Sequence, residues 1–576
     1  MNRLPFYRRL AIGALFLGVP AVASARQQHP GLDAPGFQQN RDYFSEMPFE
    51  NIDTLSGSLV LTFTDLVLPG NAGRELRFQR TYNSKTGAWT FGLAGVPLRI
   101  SNPPYPTAET PGIQELTPAL LMSDGGKRIM AWYVSPNINV PSTFDEAISS
   151  NFWRFNRAGT TRKLSIPNGD TCDYENEAEP TMLRVTICRD LFNNEITFQW
   201  LPTATPPQLL ITQELSSTVS RVVTLEFEGP DPRFPSSMEY ESRTWTYGYT
   251  GINLSTVTPP EGPGWAFTYD GLKLLTLTTP HGGVIEYAYE NKSYEGPESP
   301  QVQYSTLVVI DRETSGQGIE PGTWHYEYAI GLNGVSGQTT VQTPSARIVY
   351  EHGWNESPLA VFDAEGGIVP LIRRTVQTED GSTDLEIEER TYTLLTVLSW
   401  WTFGTLELQT RTITRHDGGT PTEFETTFEY DEANFGDYHQ PELITETGTA
   451  GTRSTNRTFQ HSATPYLVGL PLTEAVTVGS QTFNKSWTYD SQTGFKTSET
   501  TFGIETEFAA DGFGNVQTIT KANNKTTQFQ YQHGQVRTIW TPEYPITRTV
   551  NPDGSIASQT VAGRTTTFTY DDLGRL

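Results

Sequence analysis

Five glycines near the C-terminal end of the chain are separated by a constant interval of 20 residues: Gly494, Gly514, Gly534, Gly554 and Gly574. A unit of this length has room for two β-strands of about six or seven residues and two turns. It is too short for a four-stranded propeller blade, which takes about 40 residues or more. The interval therefore predicts an array of two-stranded units.

The residues around these glycines predict a mechanical role for each unit. Strict alternation from Thr565 to Tyr570 places aromatic side chains on one face of a strand and threonines on the other. We expect the aromatic residue to pack the strand end, the aspartate to accept hydrogen bonds from turn amides, and the glycine to adopt a positive φ. Besides the five glycines, the predicted turn and strand-end residues are Tyr489, Asp490, Asp511, Tyr531, Asp553, Tyr570 and Asp571.

The same spacing occurs earlier in the chain and agrees with the composition. Tyr249, Tyr269 and Tyr289 are also 20 residues apart. The chain contains 25 Tyr, 29 Phe and 12 Trp, which are residue types that pack well on pleated surfaces. Few segments show the apolar spacing of an amphipathic helix. We therefore predict an all-β protein.

The N-terminal segment is typical of a secretory signal peptide. Arg3, Arg8 and Arg9 precede an apolar run from Leu10 to Val22, which ends at the small residues Ala23-Ser24-Ala25. We expect cleavage after Ala25, with an uncleaved anchor as the alternative. No later segment is apolar enough to span a membrane. The mature chain is therefore expected in the periplasm, at the cell surface or in the medium.

Two cysteines, Cys172 and Cys188, flank a predicted hairpin whose reversal lies near Pro180. This reversal would place the two side chains opposite each other, and exported proteins retain disulfides. We predict a disulfide between them. The alternative is that they are two separate small apolar residues.

The sequence lacks the common catalytic and metal-binding motifs. None of the eight histidines stands in an H-x-x-x-H or H-E-x-x-H arrangement. Three Asp-Gly clusters, at 363–367, 379–384 and 511–515, do not match a calcium-binding loop and are interpreted as turns. The pair Glu386/Glu388 has the residue type of a glycosidase, but chance pairing on a strand face explains it better. We predict no enzyme activity, no cofactor and no metal site.

The net charge of −25 argues against nucleic acid as a partner, because an acidic surface repels the phosphate backbone. Trp400-Trp401 could stack on a sugar if exposed, although adjacent tryptophans in a strand more often pack into a core. The sequence thus keeps open a surface that binds glycans.

Two segments resemble the RHS, or YD-repeat, family. The stretch Tyr570 to Leu576 is close to the YD signature, and the equal spacing of the glycines strengthens the match. The N-terminal segment 51–86 is similar to the module that opens many bacterial RHS proteins, with Gly57-Ser58-Leu59, Asp65 to Pro69-Gly70, and Arg80 to Ser84 in the same order. The resemblance touches about residues 46–100, 240–290 and 425–576.

This resemblance implies a long antiparallel β-ribbon that spirals into a hollow shell. In bacterial members of the family the shell encloses a C-terminal toxic domain, and in teneurins a related shell contributes to adhesion. The predicted organisation is a signal peptide (1–25), an extended leader (26–45), an RHS-type β module (46–240), YD-like repeats (241–295), divergent β-rich repeats (296–424), and YD repeats (425–576). Residues 300–420 are rich in β-strand patterns but show no constant repeat interval.

Three functions follow as hypotheses. The first is an exported shell segment whose partners are further repeats and a C-terminal cargo of the same polypeptide. The second is a cell-surface module that recognises a glycan or a protein, and the third is an exported hydrolase. Because Arg575 and Leu576 begin another strand pattern after Gly574, we expect the repeat array to continue beyond this sequence.

Overall fold

The computed structural model describes residues 32, 36–38, 41–101, 118–132, 146–158, 160, 162–177, 182–228, 233–295, 303–331, 336–353, 369–398, 403–430 and 438–576. Their regular structure consists of β-strands and one short 3-10 helix, Asn71–Gly73. The prediction of an all-β protein is confirmed. The signal peptide with Ala25, the tryptophan pair at 400–401 and the Asp-Gly cluster at 363–367 lie outside the described residues.

An N-terminal antiparallel sheet of five strands forms the first structural unit. Its first strand falls at the end of the segment that the sequence predicted to be an extended leader, because Tyr43 and Phe44 pair with Asp53 and Ile52. The strands are β1 (Tyr43–Phe44), β2 (Glu50–Asp53), β3 (Leu59–Leu68), β4 (Leu76–Asn83) and β5 (Ala88–Leu93).

The next eight strands close into a small barrel. Each strand pairs antiparallel with the next, and Met182 to Arg184 of the last strand pair with Arg99 to Ser101 of the first. The strands are β6 (Arg99–Ser101), β7 (Ala119–Leu121), β8 (Lys127–Trp132), β9 (Glu146–Ser149), β10 (Arg154–Asn156), β11 (Lys163–Ser165), β12 (Thr171–Asn176) and β13 (Met182–Arg189).

Within this barrel Cys172 lies directly opposite Cys188 on β12 and β13. The two buried sulfurs are joined as a disulfide that spans 16 residues of sequence. The predicted reversal at Pro180 is outside the described residues.

Strand β13 is also the branch point of the sheet. The C-terminal half of β13 pairs with β14, from which a ribbon continues with every strand antiparallel to the next. The ribbon strands are β14 (Glu195–Leu201), β15 (Gln208–Ser216), β16 (Val219–Phe227), β17 (Pro235–Tyr240), β18 (Arg243–Thr250), β19 (Asn253–Thr258), β20 (Trp265–Asp270), β21 (Lys273–Thr278), β22 (Gly283–Glu295), β23 (Gln303–Gly316), β24 (Gly322–Ile330), β25 (Gly337–Gln342), β26 (Arg347–His352), β27 (Leu371–Gln377), β28 (Asp384–Leu398), β29 (Phe403–Arg415), β30 (Thr422–Tyr430), β31 (Pro441–Gly448), β32 (Gly451–Ala463), β33 (Tyr466–Val478), β34 (Gln481–Tyr489), β35 (Lys496–Thr501), β36 (Ile504–Ala510), β37 (Val516–Lys521), β38 (Thr526–Gln532), β39 (Gln535–Trp540), β40 (Pro545–Val550), β41 (Ile556–Val561) and β42 (Arg564–Thr567). The predicted long antiparallel ribbon is therefore confirmed.

The main hydrophobic core lies where the N-terminal sheet packs against the early part of the ribbon. Phe63 of β3 contacts Trp265 of β20 with ring centroids 4.7 Å apart, and Trp89 of β5 contacts Phe267 at 4.9 Å. The Tyr82 hydroxyl donates to the backbone carbonyl of Leu272 at 2.9 Å. The aromatic residues of the early repeats are therefore buried by a second layer of sheet.

Two buried ion pairs accompany this core. Arg312 of β23 donates to Glu50 of β2 at 2.8 Å, and both side chains are almost completely buried. Arg80 of β4 donates to Asp65 of β3 at 3.0 Å and lies over the ring of Phe63. The first pair links the N-terminal sheet to the ribbon directly, since its two partners belong to different sheets.

Candidate functional site

The five glycines of the 20-residue interval lie in one row of turns along the ribbon. These turns follow β34, β36, β38, β40 and β42, and we call them the docked turn row. All five glycines have a positive φ, with values of 67°, 82°, 72°, 90° and 78° in chain order. Glycine adopts this conformation without the steric cost that a Cβ atom imposes.

Aspartates organise several of these turns. The Asp511 Oδ1 accepts hydrogen bonds from the backbone amides of Phe513 (2.9 Å) and Asn515 (3.0 Å). Asp571 accepts in the same way, from the amides two and four residues ahead. The backbone amide of Arg575, helped by its guanidinium, lowers the pKa of Asp571. The carboxylate therefore holds the loop in shape as an ionised acceptor.

The other three turns vary this arrangement. Asp490 accepts from Gln492 and Thr493, and Thr493 lowers the pKa of Asp490. Asp553 accepts from the amide of Ser555 at 2.9 Å. At Gly534 the turn has two residues, since Gln532 pairs directly with Gln535, and His533 also takes a positive φ. This last turn needs no aspartate because it contains only two residues to fix.

The tyrosine of the repeat has a role that the sequence did not predict. In seven repeat tyrosines the hydroxyl donates to a backbone carbonyl of the preceding strand, usually at its first or second residue. The Tyr289 hydroxyl is buried and has no hydrogen-bond partner among the described residues. In six of the seven cases the tyrosine directly follows a shift in strand register. The bonds run from Tyr249 to Pro235 (3.0 Å), Tyr269 to Leu254 (2.6 Å), Tyr392 to Leu371 (3.1 Å), Tyr430 to Leu408 (3.1 Å), Tyr489 to Pro471 (2.8 Å), Tyr531 to Val516 (3.1 Å) and Tyr570 to Ile556 (3.1 Å).

This tyrosine bond also phases the middle of the chain. Tyr392 makes it within the region 300–420, for which no repeat register was predicted, and Tyr430 makes it at the start of the predicted YD repeats. The 20-residue interval fails there because the hairpins are longer: β28 has 15 residues and β29 has 13. The register shift lies in the ladder with the following strand, whereas the hydroxyl binds the strand on the other side, so the tyrosine connects both of its neighbouring strands.

The docked turn row contacts an earlier part of the same ribbon. We call residues 190–270 the first strip and residues 481–576 the second strip. The first strip begins with a turn of the same kind, in which Asp190 accepts from the amides of Phe192 and Asn194 at 2.9 Å. Asn193 takes the positive φ there. The 20-residue glycine interval does not reveal this turn, because asparagine replaces the glycine.

Hydrogen bonds join turns of the second strip to residues of the first strip. The Asn194 side chain donates to the carbonyl of Phe513 at 2.8 Å. Farther along, the amide of Asp572 donates to the Glu261 carboxylate at 2.8 Å. These contacts join residues 319 and 311 positions apart in sequence. The docked turn row therefore contacts the first strip at several points with similar separations in sequence. The turns of Gly534 and Gly554 also lie against Pro69 of the N-terminal sheet.

We call the boundary between the first and second strips the seam, and Arg221 is its central contact. Its guanidinium donates to the carbonyls of His533 (2.8 Å) and Pro552 (2.7 Å) in the second strip, and to that of Pro69 in the N-terminal sheet. One buried side chain therefore ties three segments together. Beside it, Arg243 and Asp553 form an ion pair at 3.5 Å.

At some turns of the docked row, glycine is also required because there is no space for a Cβ atom. A Cβ atom on Gly534 would lie 2.5 Å from the Pro69 carbonyl oxygen, and one on Gly514 would lie 2.4 Å from the Phe192 ring. In the turns on the other side of the second strip, a Cβ on Gly503 or Gly563 would meet no atom within 4 Å. The docked turns at Gly514 and Gly534 therefore approach their partners more closely than any other residue type would permit, whereas the nearest atom to a Cβ on Gly574 would be 4.0 Å away.

Comparison with known proteins gives a coarse structural likeness. No family model matches the chain, and no curated protein matches it in sequence. A chain in the crystal structure of TcdB2-TccC3-TEV is similar over 86% of this chain and 27% of its own length, with 10% identity and a TM-score of 0.35. A chain of the Photorhabdus luminescens Tc holotoxin pore is similar over 91% of this chain and 29% of its own length, with 10% identity and a TM-score of 0.26. This chain thus spans less than a third of either solved chain.

The acidic pair considered in the sequence analysis belongs to a network of arginines. Glu386 and Glu388 share one face of β28, and Glu388 is buried between Arg390 (2.8 Å) and Arg411 (2.7 Å). Burial alone would raise the pKa of Glu388, but Arg411 and Arg390 lower it overall. These arginines keep the Glu388 carboxylate ionised and join neighbouring strands, so structural contacts are sufficient to explain the acidic pair.

No group of three or more His, Cys, Asp or Glu side chains is arranged to hold a metal ion within the part of the chain that the structure describes. Over those same ranges, no helix is both long and apolar enough to cross a membrane.

Proposed function

We propose that this chain is a wall segment of an exported RHS-type shell that encloses or presents a polypeptide cargo. The observation that carries the proposal is the seam, where two passes of one ribbon are joined by hydrogen bonds between residues 319 and 311 positions apart in sequence. A ribbon that returns onto itself in register forms a continuous surface. A further pass in the same register would extend that surface.

The second strip supports this role because it is a single-layered sheet. Between residues 481 and 576, Val550 is the one hydrophobic side chain that is fully buried. Backbone hydrogen bonds in this strip are satisfied between neighbouring strands, without a covering layer. Enclosure requires such a surface and no reactive side chain, so the proposal assigns the wall no catalytic step.

The shape of the isolated chain gives a first test. A compact globule of this length has a radius of gyration of about 25 Å. We expect small-angle X-ray scattering of the folded monomer to give a larger value and a reduced density at the centre of mass. A radius at the compact value with a filled centre would contradict the wall.

Protection of cargo gives the second test. The polypeptide made from the complete reading frame is treated with a nonspecific protease, and any segment that follows the repeats is detected by mass spectrometry. We expect protection in the parent and in Gly563→Leu, and digestion in Gly534→Leu, whose side chain would collide with Pro69 and Gly70 and push the second strip away from the N-terminal sheet beside the seam. Equal digestion in all three proteins would refute enclosure.

A further inference from the structure

A cavity of about 280 Å³ lies in the seam between the two strips. It is near the lower end of the volumes of small-molecule pockets, so it has room for one ring-sized ligand. Its walls come from both sides of the seam and from the short helix after β3. The lining residues used below are Leu215, Val219, Phe513, Gln530, Gln532 and His533.

The charged and asparagine side chains at this cavity are already occupied by the seam. Asp511 accepts from two backbone amides and from the Asn515 side chain. The Asn71 amide donates to the carbonyl of Leu215 at 2.9 Å, and its oxygen accepts from Asn515 at 3.3 Å. These groups shape the wall, and their hydrogen-bonding capacity is largely used.

The remaining polar groups are neutral. His533 Nδ1 is buried and has no hydrogen-bond partner among the described residues. Burial, and next the charge of Arg221, lower the pKa of His533, so the imidazole is uncharged at neutral pH. The Gln532 amide nitrogen lies 3.3 Å from His533 Nε2, which leaves the Gln532 amide oxygen and His533 Nδ1 facing a ligand, and Gln530 adds a second amide. A ligand would therefore meet several donors and acceptors and no ionic partner.

Aromatic and aliphatic surface completes the cavity. The Phe513 side chain is 39% exposed, although it lies in a turn that docks at the seam. Leu215 and Val219 contribute aliphatic surface from the first strip. Aromatic faces with neutral amides complement a molecule that has an apolar face and a rim of hydroxyls.

We infer that this seam cavity binds one neutral pyranose unit of a glycan, held by Phe513 and by the side chains of Gln532 and His533. An anionic ligand would find no free cation, and a cationic ligand would find the Asp511 carboxylate already occupied. The inference stands apart from the shell function, since a shell wall needs no ligand. A bound sugar would contact both strips and would stabilise the folded protein according to its concentration.

The test is saturation-transfer NMR on the intact chain with glucose, galactose, mannose and N-acetylglucosamine, and with glucuronate and glucosamine as charged controls. A single pyranose has few heavy atoms, so we expect a dissociation constant on the order of 1 mM. At least one neutral sugar should give a saturable signal, and the charged sugars should bind at least tenfold more weakly. No saturable neutral sugar, or tighter binding of a charged one, would overturn the inference.

Three variants locate the site. Phe513→Ala should weaken binding at least tenfold, and Gln532→Ala should weaken it severalfold with little effect on folding. Phe502→Ala is the matched control, because Phe502 is also an exposed phenylalanine of the second strip but lies on the other side, outside the cavity. Binding that survives both cavity substitutions, or that is lost equally in Phe502→Ala, would refute this location.

Discussion

The first and second strips are built from similar repeat units, yet they are buried to very different extents. In the first strip, Trp245, Tyr247 and Phe267 are all buried, because the N-terminal sheet covers them. Phe267 lies two residues before the repeat tyrosine Tyr269. In the second strip Phe529 has the same position before Tyr531, but it is only partly buried. The repeat thus specifies a ribbon, and a second layer decides whether that ribbon becomes part of a core.

The two strips must therefore be stabilised differently. Full burial of a large apolar side chain contributes about 1.5–3 kcal/mol, and the first strip collects several such contributions. The second strip relies on its strand ladder, on the seam and on cross-strand hydroxyl pairs. Thr488 with Thr497 and Thr560 with Thr565 are both 2.7 Å apart. Such pairs contribute only a few tenths of a kcal/mol to about 1 kcal/mol each.

The largest expected contrast is between ion pairs in the two settings. Glu50→Ala leaves the Arg312 guanidinium buried without its carboxylate and should lower the free energy of unfolding by about 3–5 kcal/mol. Glu499→Ala, which removes the partly exposed pair with Lys496 in the second strip, should cost less than about 1 kcal/mol. Chemical unfolding followed by circular dichroism measures both. Equal losses would show that the covering layer does not determine how much an ion pair contributes to the free energy of unfolding.

The second prediction concerns pH and the covered region. His352 is buried against Thr54 of the N-terminal sheet, with Nε2 and Oγ1 3.2 Å apart, and Asp53, Arg41 and Arg390 act on it. Burial lowers the pKa of His352 from its ordinary 6.5 to about 3. The unfolded chain therefore takes up a proton that the folded chain refuses, so this stability is complete above about pH 6.5 and is lost as the pH falls towards 3.

Between pH 7 and pH 5 this single group should remove about 2 kcal/mol from the free energy of unfolding. The measurement is a series of urea unfolding curves at fixed ionic strength. His352→Gln should lower stability at pH 7 and flatten the dependence between these pH values. An unchanged slope in the variant would assign the pH dependence to other groups.

The third prediction compares the two turn rows of the second strip. Gly534 and Gly563 have φ values of 72° and 79°, so alanine costs similar backbone strain at both. Only at Gly534 does the added Cβ collide with the backbone of Pro69 and Gly70. We expect Gly534→Ala to cost about 1.5 kcal/mol more than Gly563→Ala. Differential scanning calorimetry should show the larger drop in melting temperature for Gly534→Ala. Equal drops would show that the Gly534 turn is not closely packed against Pro69 and Gly70.

The parts of the fold that local chemistry determines could be predicted from the sequence. The strands, the hairpin turns and the capping aspartates follow from alternation and from Asp and Gly in the same loop. The seam could not be predicted, because Arg221 and Pro552 are 331 residues apart and no local pattern pairs them. The Asp190 turn was missed since asparagine serves where the repeat has glycine.

The role of the repeat tyrosine shows a different limit. The sequence places an aromatic residue at the strand end, and apolar packing explains its ring. The hydroxyl of Tyr531 donates to the Val516 carbonyl on the neighbouring strand at 3.1 Å, and such a cross-strand bond leaves no signature in a strand of ordinary composition. The same bond in Tyr392 then identifies repeats whose length had changed.

The smallest predicted effect tests that hydroxyl within the single-layered strip. Tyr531→Phe keeps the ring and removes one hydrogen bond to a partly buried carbonyl, which should cost about 1 kcal/mol. Tyr544→Phe is the matched control, because its side chain is exposed in a turn of the same strip. Hydrogen exchange of the amides in β37 and β38 should accelerate severalfold in Tyr531→Phe and stay at the parent rate in Tyr544→Phe. If Tyr531→Phe also keeps the parent rate, the repeat tyrosine of the single-layered strip acts through its ring alone.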